Sequence, residues 1–216
     1  MKILVGQPKL EQHLCQLEKE VMNNLYVDIF IYPEGYVNDN LDAARFLAQK
    51  YQKIILTGYK RPKDRAVIID RNGTILLDRA KYDKPKVINI EDLVVGFLLC
   101  DELVLQGLEV GIPRLDFVVH PIGVGMFSED QFEEWITKAK EIARDHKTII
   151  IGTSHADGSF RNCGVSIPIA YCIDPNGEEI FVMKNDIRSV VLDLKTLQYE
   201  IIDKKSIPVA QEGPNF

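Results

Sequence analysis

The sequence predicts an α/β domain of two β-sheets with helices on their outer faces, a four-layer sandwich. Three observations lead there. From Ile3 to Thr57, short apolar runs alternate with helix-period stripes, which implies parallel strands joined by right-handed crossovers. Asn72-Gly73 and Asn176-Gly177 each lie between apolar runs, and an Asn-Gly pair in that setting marks a tight hairpin. Both hairpins read Ile-Asp-x-Asn-Gly and each is followed by a lysine, Lys81 or Lys184. That is a weak internal duplication, with each half supplying one sheet.

Ile3–Val5 opens the chain as a strand. Leu10, Leu14, Leu17 and Val21 then recur on one helical face, leaving His13 and Cys15 at the surface or rim. Val27–Tyr32 is a second strand, closed by Pro33-Glu34-Gly35. Leu41, Ala44, Ala48 and Tyr51 define the next helix, and Lys53–Thr57 the next strand. Ala66–Leu77 is the first hairpin. The run Val94–Leu99 reads as a buried strand that delivers Cys100, and a helical pattern (Leu103, Leu105, Leu108) starts at once. Leu115–His120 is a strand ending at Pro121-Ile122-Gly123. Ser128 and Gln131 form a capping box for a helix striped by Phe132, Trp135, Ile136, Ala139, Ile142 and Ala143. Lys147–Thr153 is a strand and Ser154–Asn162 a polar loop. Val165–Ile169, Ala170–Ile173, Ile180–Met183 and Ile187–Leu194 complete the strands. No linker divides the chain, so residues 1–216 read as one domain, with 202–216 an extended C-terminal arm.

Composition narrows the function. With 46% hydrophobic content, 216 residues suffice for one large core. The net charge of −6 comes from 26 basic and 32 acidic residues, with neither sign in a long block. This argues against a nucleic-acid or anionic-membrane partner. Lys60-Arg61-Pro62-Lys63 and the basic residues from Arg79 to Lys86 adjoin acids and read as solvated loops. Met1–Gly6 runs straight into a folded pattern without a secretory leader, and no apolar run is long enough to span a bilayer. Cys15, Cys100, Cys163 and Cys172 lack CxxC spacing, so reduced thiols and a cytoplasmic home are expected. His13, His120, His146 and His155 have no ligand-pair spacing, and neither metal nor cofactor is expected. A dinucleotide fingerprint is missing, since Gly6-Gln7-Pro8 offers a single glycine after the first strand.

The chemistry converges on Cys100. Open α/β sheets bind ligands at the carboxyl ends of their strands. Unpaired N–H groups at a helix start favour an anion there, so a thiol in that place ionises more readily to the reactive thiolate. Such a nucleophile needs a base for its proton and donors for the oxyanion. His120 also ends a strand, but Glu34 is the stronger base: it closes a buried strand behind Pro33, at the same sheet edge as Cys100. Lys81 follows the first hairpin, with Lys84 and Lys86 as rivals.

Taken together, these residues resemble the motifs of the nitrilase, or carbon–nitrogen hydrolase, superfamily. Pro33-Glu34 is similar to the family's general-base motif, and Asp70-Arg71-Asn72-Gly73 with the run to Lys81 is similar to its lysine motif. Gly96–Cys100 is similar to the nucleophile motif; the spacing from Gly73 favours Lys81 over Lys84. Asp116–Pro121, the Trp135 helix, Ile151-Gly152-Thr153 and Ile173–Gly177 are lesser echoes, so the likeness runs from Met1 to about Leu194.

The resemblance implies an αββα sandwich, two mixed sheets with outer helices, and a homodimer. It also implies a Glu34–Lys81–Cys100 triad that converts a small carboxamide to acid plus ammonia through a thioester. Lys81 and the Asp101 backbone N–H would hold the oxyanion. Amidase chemistry is expected ahead of nitrilase chemistry, and the alternative is a catalytically silent relative that binds a small molecule or protein. Two departures stand out. Asp101 and Glu102 follow the nucleophile where the family commonly has an aromatic residue, and acids beside a thiolate raise its pKa. The Lys81-to-Cys100 segment is short, which implies a missing covering loop and an open pocket. The family's second, lysine-orienting glutamate corresponds to Glu91 or Glu102.

Overall fold

The computed structural model describes residues 1–60, 62–109, 111–112 and 114–202. Its first half runs β1 (Lys2–Val5), α1 (Cys15–Asn23), β2 (Ile29–Ile31), α2 (Leu41–Tyr51), β3 (Ile54–Tyr59), β4 (Arg65–Ile69) and β5 (Ile75–Ala80). Next come β6 (Val87–Ile90), β7 (Leu93–Phe97), α3 (Glu102–Leu105), β8 (Phe117–Pro121) and α4 (Glu129–His146). The chain continues through β9 (Ile149–Thr153), β10 (Ile169–Ile173), β11 (Glu179–Lys184), β12 (Ser189–Asp193) and β13 (Tyr199–Ile202).

One sheet has the order β13-β12-β1-β2-β3-β4-β5 and the other β11-β10-β9-β8-β7-β6. Both are mixed: β1, β2 and β3 pair in parallel, as do β7, β8 and β9, and the flanking strands run antiparallel. Side chains alternate across a strand, so each central strand serves two cores. Ile3, Val5, Ile29, Ile31, Ile54 and Leu56 face Phe97, Phe117, Val119 and Ile151 between the sheets. Leu4, Phe30 and Ile55 point the other way, onto Leu17, Val21, Ala44 and Ala48 of α1 and α2. Val118, Ile150 and Tyr171 likewise cover Trp135, Ile136 and Ala139 of α4. The result is the expected αββα sandwich.

Local chemistry explains the longest helix. Ser128 Oγ accepts the Gln131 N–H at 3.1 Å, while Gln131 Oε1 reaches back one residue further, to the Phe127 N–H at 2.9 Å. Glu129 and Asp130 sit in its first turn and Arg144 and His146 in its last, each complementing the helix dipole. Among the described residues, no helix is long and apolar enough to cross a membrane.

The structure departs from the sequence reading at several points. The duplicated halves do not supply one sheet each, because β12 returns to pair with β1 in the register Lys2↔Asp193 and brings β13 with it. Helix α1 starts only at Cys15, so Leu10 lies outside it and is exposed, as His13 and Cys15 are. The helix after Cys100 is a single turn, with Leu105 exposed. Strand β6 had no counterpart in the reading, and Val165–Ile169 contributes only a bridge from Ile167 to Met126 before β10 begins. Ile202 closes β13; the rest of the expected arm, 203–216, lies outside the described residues.

Candidate active site

Four strand exits meet at one edge of the sandwich. β2 runs into Pro33-Glu34, β5 into Lys81, β7 through Leu98 and Leu99 into Cys100, and β8 into Pro121-Ile122-Gly123. Together they bound a cavity of about 380 Å³, lined by Glu34, Lys81, Cys100 and Asp101. Glu34 is buried, with Oε1 3.2 Å from Lys81 Nζ. Its backbone is held on both sides: the Thr57 hydroxyl donates to Pro33 O at 2.9 Å, and His155 Nε2 lies 3.2 Å from Glu34 O. The Lys81 N–H donates to Asp64 O at 2.8 Å. Cys100 takes a left-handed conformation with φ of 51°, which a side chain adopts only when its surroundings fix it. Its N–H donates to Pro121 O at 2.8 Å, and the Gly123 N–H donates to its sulfur.

A buried ion pair ties the lysine and cysteine segments together. Glu102 is fully buried and binds Arg79 through both oxygens, at 2.7 and 2.8 Å. The same carboxylate accepts the Tyr82 N–H at 2.5 Å, next to Lys81, and the Leu99 N–H at 2.7 Å, next to Cys100. Burial opposes its charge, but Arg79 and these N–H groups hold the carboxyl below its ordinary value. Glu102→Ala strands the Arg79 charge, so it is expected to lower stability by about 3–5 kcal/mol. For a chain of this length, that is a drop in Tm of about 6–20 °C. The double variant Arg79→Met/Glu102→Leu should lose less than either single change, and thermal melts of all three check this.

Several charges converge on Lys81. Its ammonium lies 2.9 Å from Asp101 Oδ1 and 3.8 Å from Asp64 Oδ2, besides Glu34. Burial works against the ammonium, yet the neighbouring Cys100, Glu34 and Asp101 raise its pKa above that of an ordinary lysine. Burial also raises the Glu34 carboxyl, with Lys81 and Lys60 pulling it back down. The Cys100 thiol is pushed up to about 12 by burial and by Glu34, against the opposing influence of Lys81 and the Gly123 N–H. At neutral pH the resting site therefore holds Cys100 as a thiol and Lys81 as an ammonium.

Measured against the sequence reading, Glu34, Lys81 and Cys100 line one cavity, whereas Lys84 is largely exposed and pairs with Glu109. Glu91 sits elsewhere, on Arg71 at 2.7 Å, so it does not orient Lys81. Glu102 acts on the backbone beside Lys81 rather than on its ammonium. Asp101 contributes a carboxylate to Lys81 as well as a backbone N–H, for which no described residue is an acceptor. Lys60, read as part of a solvated loop, is exposed and also lines the cavity. Two glycines admit it: a Cβ on Gly35 would lie 2.9 Å from Lys60 Cδ, and one on Gly123 would lie 2.9 Å from its Nζ and 2.7 Å from Glu34 Oε2. Among the described residues, no group of His, Cys, Asp and Glu is arranged to hold a metal ion.

This architecture is the fold of the carbon–nitrogen hydrolases, the nitrilase superfamily, to which the structural neighbours consistently belong. A carbon–nitrogen hydrolase from Helicobacter pylori G27 superposes with a TM-score of 0.69 at 14% identity, covering 91% of this chain and 90% of that one. A CN-hydrolase superfamily protein from Xanthomonas campestris, with an arsenic adduct in its active site, gives 0.68 at 12% identity, over 96% and 92%. A variant of the amidase from Nesterenkonia sp. AN1, with acrylamide added at the active-site cysteine, gives 0.67 at 14% identity, over 89% and 92%. No protein-family model and no curated protein sequence matches the chain.

Proposed function

We propose that this chain is a carbon–nitrogen hydrolase of the amidase type, acting on a small carboxamide through a Glu34–Lys81–Cys100 triad. The observation that carries the reading is the Glu34–Lys81 contact of 3.2 Å inside the cavity that Cys100 lines. Glu34 accepts the thiol proton as sulfur attacks the amide carbon, and the C=O π electrons move to oxygen. Lys81 and the Asp101 N–H hold that oxyanion. Its collapse breaks the C–N bond, Glu34 returns the proton to the departing nitrogen, and ammonia leaves a thioester. Water then gives a proton to Glu34 and attacks the thioester; the acid departs and the sulfur regains its proton. Ile122, Val124, Met126, Phe127, Trp135 and Phe160 give the cavity an apolar wall suited to a short acyl chain. The amidase neighbour with an adduct at its cysteine supports the same assignment.

An ammonia-release screen over short-chain amides, ω-amides, carbamoyl compounds and nitriles tests this proposal. Turnover of an amide that is lost in Cys100→Ala supports it, and silence across the panel refutes it. Asp101 on Lys81 favours a second reading, a silent relative that binds a ligand, because an ammonium already facing three carboxylates is less available to an oxyanion. Iodoacetamide separates the two. Fast, selective labelling of Cys100 at neutral pH fits the enzyme, and labelling no faster than exposed Cys15 fits the binder. Pairing of two copies, from the family resemblance, and a cytoplasmic location, from the cysteine usage, belong to the same proposal.

Lys60 has its own expected outcome. It lowers the Glu34 pKa across the gap left by Gly123, so Lys60→Met should move the acid limb of kcat/KM to higher pH. The alkaline plateau should stay within about 3-fold, as befits loss of one partly screened charge. A pH–rate profile checks both.

A further inference from the structure

The resting structure contains a hydrogen-bonded chain that the proposed mechanism does not use. Tyr171 OH lies 2.6 Å from His120 Nδ1, and His120 Nε2 lies 2.7 Å from Cys100 O. Both side chains are fully buried. A carbonyl only accepts, so Nε2 carries the proton and donates to Cys100 O. Burial lowers the His120 pKa to about 4, so the ring is neutral at working pH. Nδ1 is then an acceptor, and Tyr171 must donate to it. The tautomer is fixed from both ends.

The carbonyl that receives this bond belongs to the Cys100–Asp101 peptide, whose other end is the Asp101 N–H. Chain bonds pin that peptide already: Leu103 N–H also donates to Cys100 O, at 3.2 Å. Drawing electron density toward the carbonyl oxygen strengthens the N–H of the same amide as a donor, because hydrogen bonds in series polarise one another. A left-handed residue such as Cys100 also needs an outside contact to keep its peptide plane from turning. The space for Tyr171 is specifically cleared: a Cβ on Gly152 would lie 2.3 Å from Tyr171 Cε1 and 2.8 Å from its hydroxyl.

We infer that Tyr171 and His120 form a positioning relay that orients and polarises the Cys100–Asp101 peptide as an oxyanion donor. The inference rests on the hydrolase reading of the site. The relay acts on the transition state, in which the oxygen carries charge, and not on the sulfur's ability to attack. It therefore separates reactions that build an oxyanion from those that do not. Alkylation by iodoacetamide displaces iodide at a saturated carbon and creates no oxyanion. Addition of the thiol to an aldehyde does: the S–C bond forms, the C=O π bond opens to oxygen, and the thiol proton goes to Glu34.

The test compares wild type, His120→Phe and Tyr171→Phe in three measurements. For a small amide substrate, His120→Phe is expected to lower kcat about 10- to 100-fold with KM within about 3-fold, less than the loss of a whole oxyanion donor. Tyr171→Phe keeps the ring in its Gly152 slot, and its expected drop is about 3- to 10-fold. Affinity for propionaldehyde, read as protection of Cys100 from alkylation, should fall alongside kcat, while the unprotected iodoacetamide rate stays within about 3-fold. Unchanged aldehyde affinity in both variants overturns the relay. So does an alkylation rate that falls in step with kcat, since that means the sulfur itself has moved. If His120→Phe does not fold, Tyr171→Phe decides. A wild-type chain that takes up the aldehyde yet hydrolyses no amide refutes the amidase reading, while the aldehyde comparison still judges the relay.

Discussion

Cys100→Ala is expected to reduce amide turnover by at least about 10⁴-fold, the scale of losing a covalent nucleophile, with Tm within about 2 °C of wild type. The two halves of that expectation have separate causes. The thioester route has no substitute for the sulfur, since no other cysteine, serine or threonine among the described residues lines the cavity. The fold has little stake in the side chain. Cys100 is half-buried, its φ of 51° is as tolerable for alanine as for cysteine, and its held groups are backbone ones. Its N–H on Pro121 O and its C=O on His120 survive the change. Ammonia release and a thermal melt on the same sample are the check. Turnover that persists without the sulfur would end the triad proposal outright.

The parts of the fold that are local in sequence were legible, and the parts that depend on distant pairing were not. Asn72-Gly73 and Asn176-Gly177 announced their hairpins because the turn demands positive φ where those residues allow it, as Gly73 (75°) and Gly177 (80°) adopt. Runs such as Ile3-Leu4-Val5 read as strands because they are apolar on both faces, the mark of a sheet covered on both sides. Which strand lies beside β1 is another matter. Ser189–Asp193 has the same alternation whichever neighbour it takes, so its return to the first sheet could not be read. Val87–Ile90 escaped notice because it is a short edge strand with only Ile90 fully buried, and an edge carries a weak pattern.

The site shows the same division. Glu34 and Cys100 were readable because each ends an apolar strand, and strand ends are where such sheets bind ligands. Lys60 was not, since its entry depends on the missing side chains of Gly35 and Gly123, far apart in the chain. The Asp101 carboxylate was read in part: its charge does raise the Cys100 pKa, as expected of an acid beside a thiolate. What the sequence did not show is that the same carboxylate pairs with Lys81 and accepts the Tyr82 hydroxyl at 2.8 Å. Sequence proximity gave the effect on the sulfur, while the ion pair depends on residues distant in the chain.

Glu34→Gln carries the second large expectation: loss of turnover by about 10³- to 10⁴-fold, with no loss of stability at pH 7 to 8. Glu34 handles a proton at every stage, taking it from sulfur, giving it to nitrogen and taking one from water, so an amide in its place stalls acylation and deacylation alike. The stability side follows from its pKa. Burial raises the folded value above the ordinary 4.5 despite Lys81 and Lys60. The native state then binds this proton more tightly than the unfolded chain does. The stability it contributes is complete below the unfolded value and is lost as pH rises through the folded one. Above its folded pKa the ionised carboxylate is thus a net burden on the fold, and glutamine removes it while Lys81 keeps Asp101 and Asp64 as partners. Wild-type kcat/KM should accordingly have an acid limb above 4.5, because the base must be ionised to accept the thiol proton. Melts of wild type and Glu34→Gln across pH 4 to 8 should converge at the acid end and separate in favour of the variant toward neutrality. A variant that is less stable at pH 7 to 8 would mean that the Lys81 ion pair outweighs burial, and the acid limb should then fall below 4.5 instead.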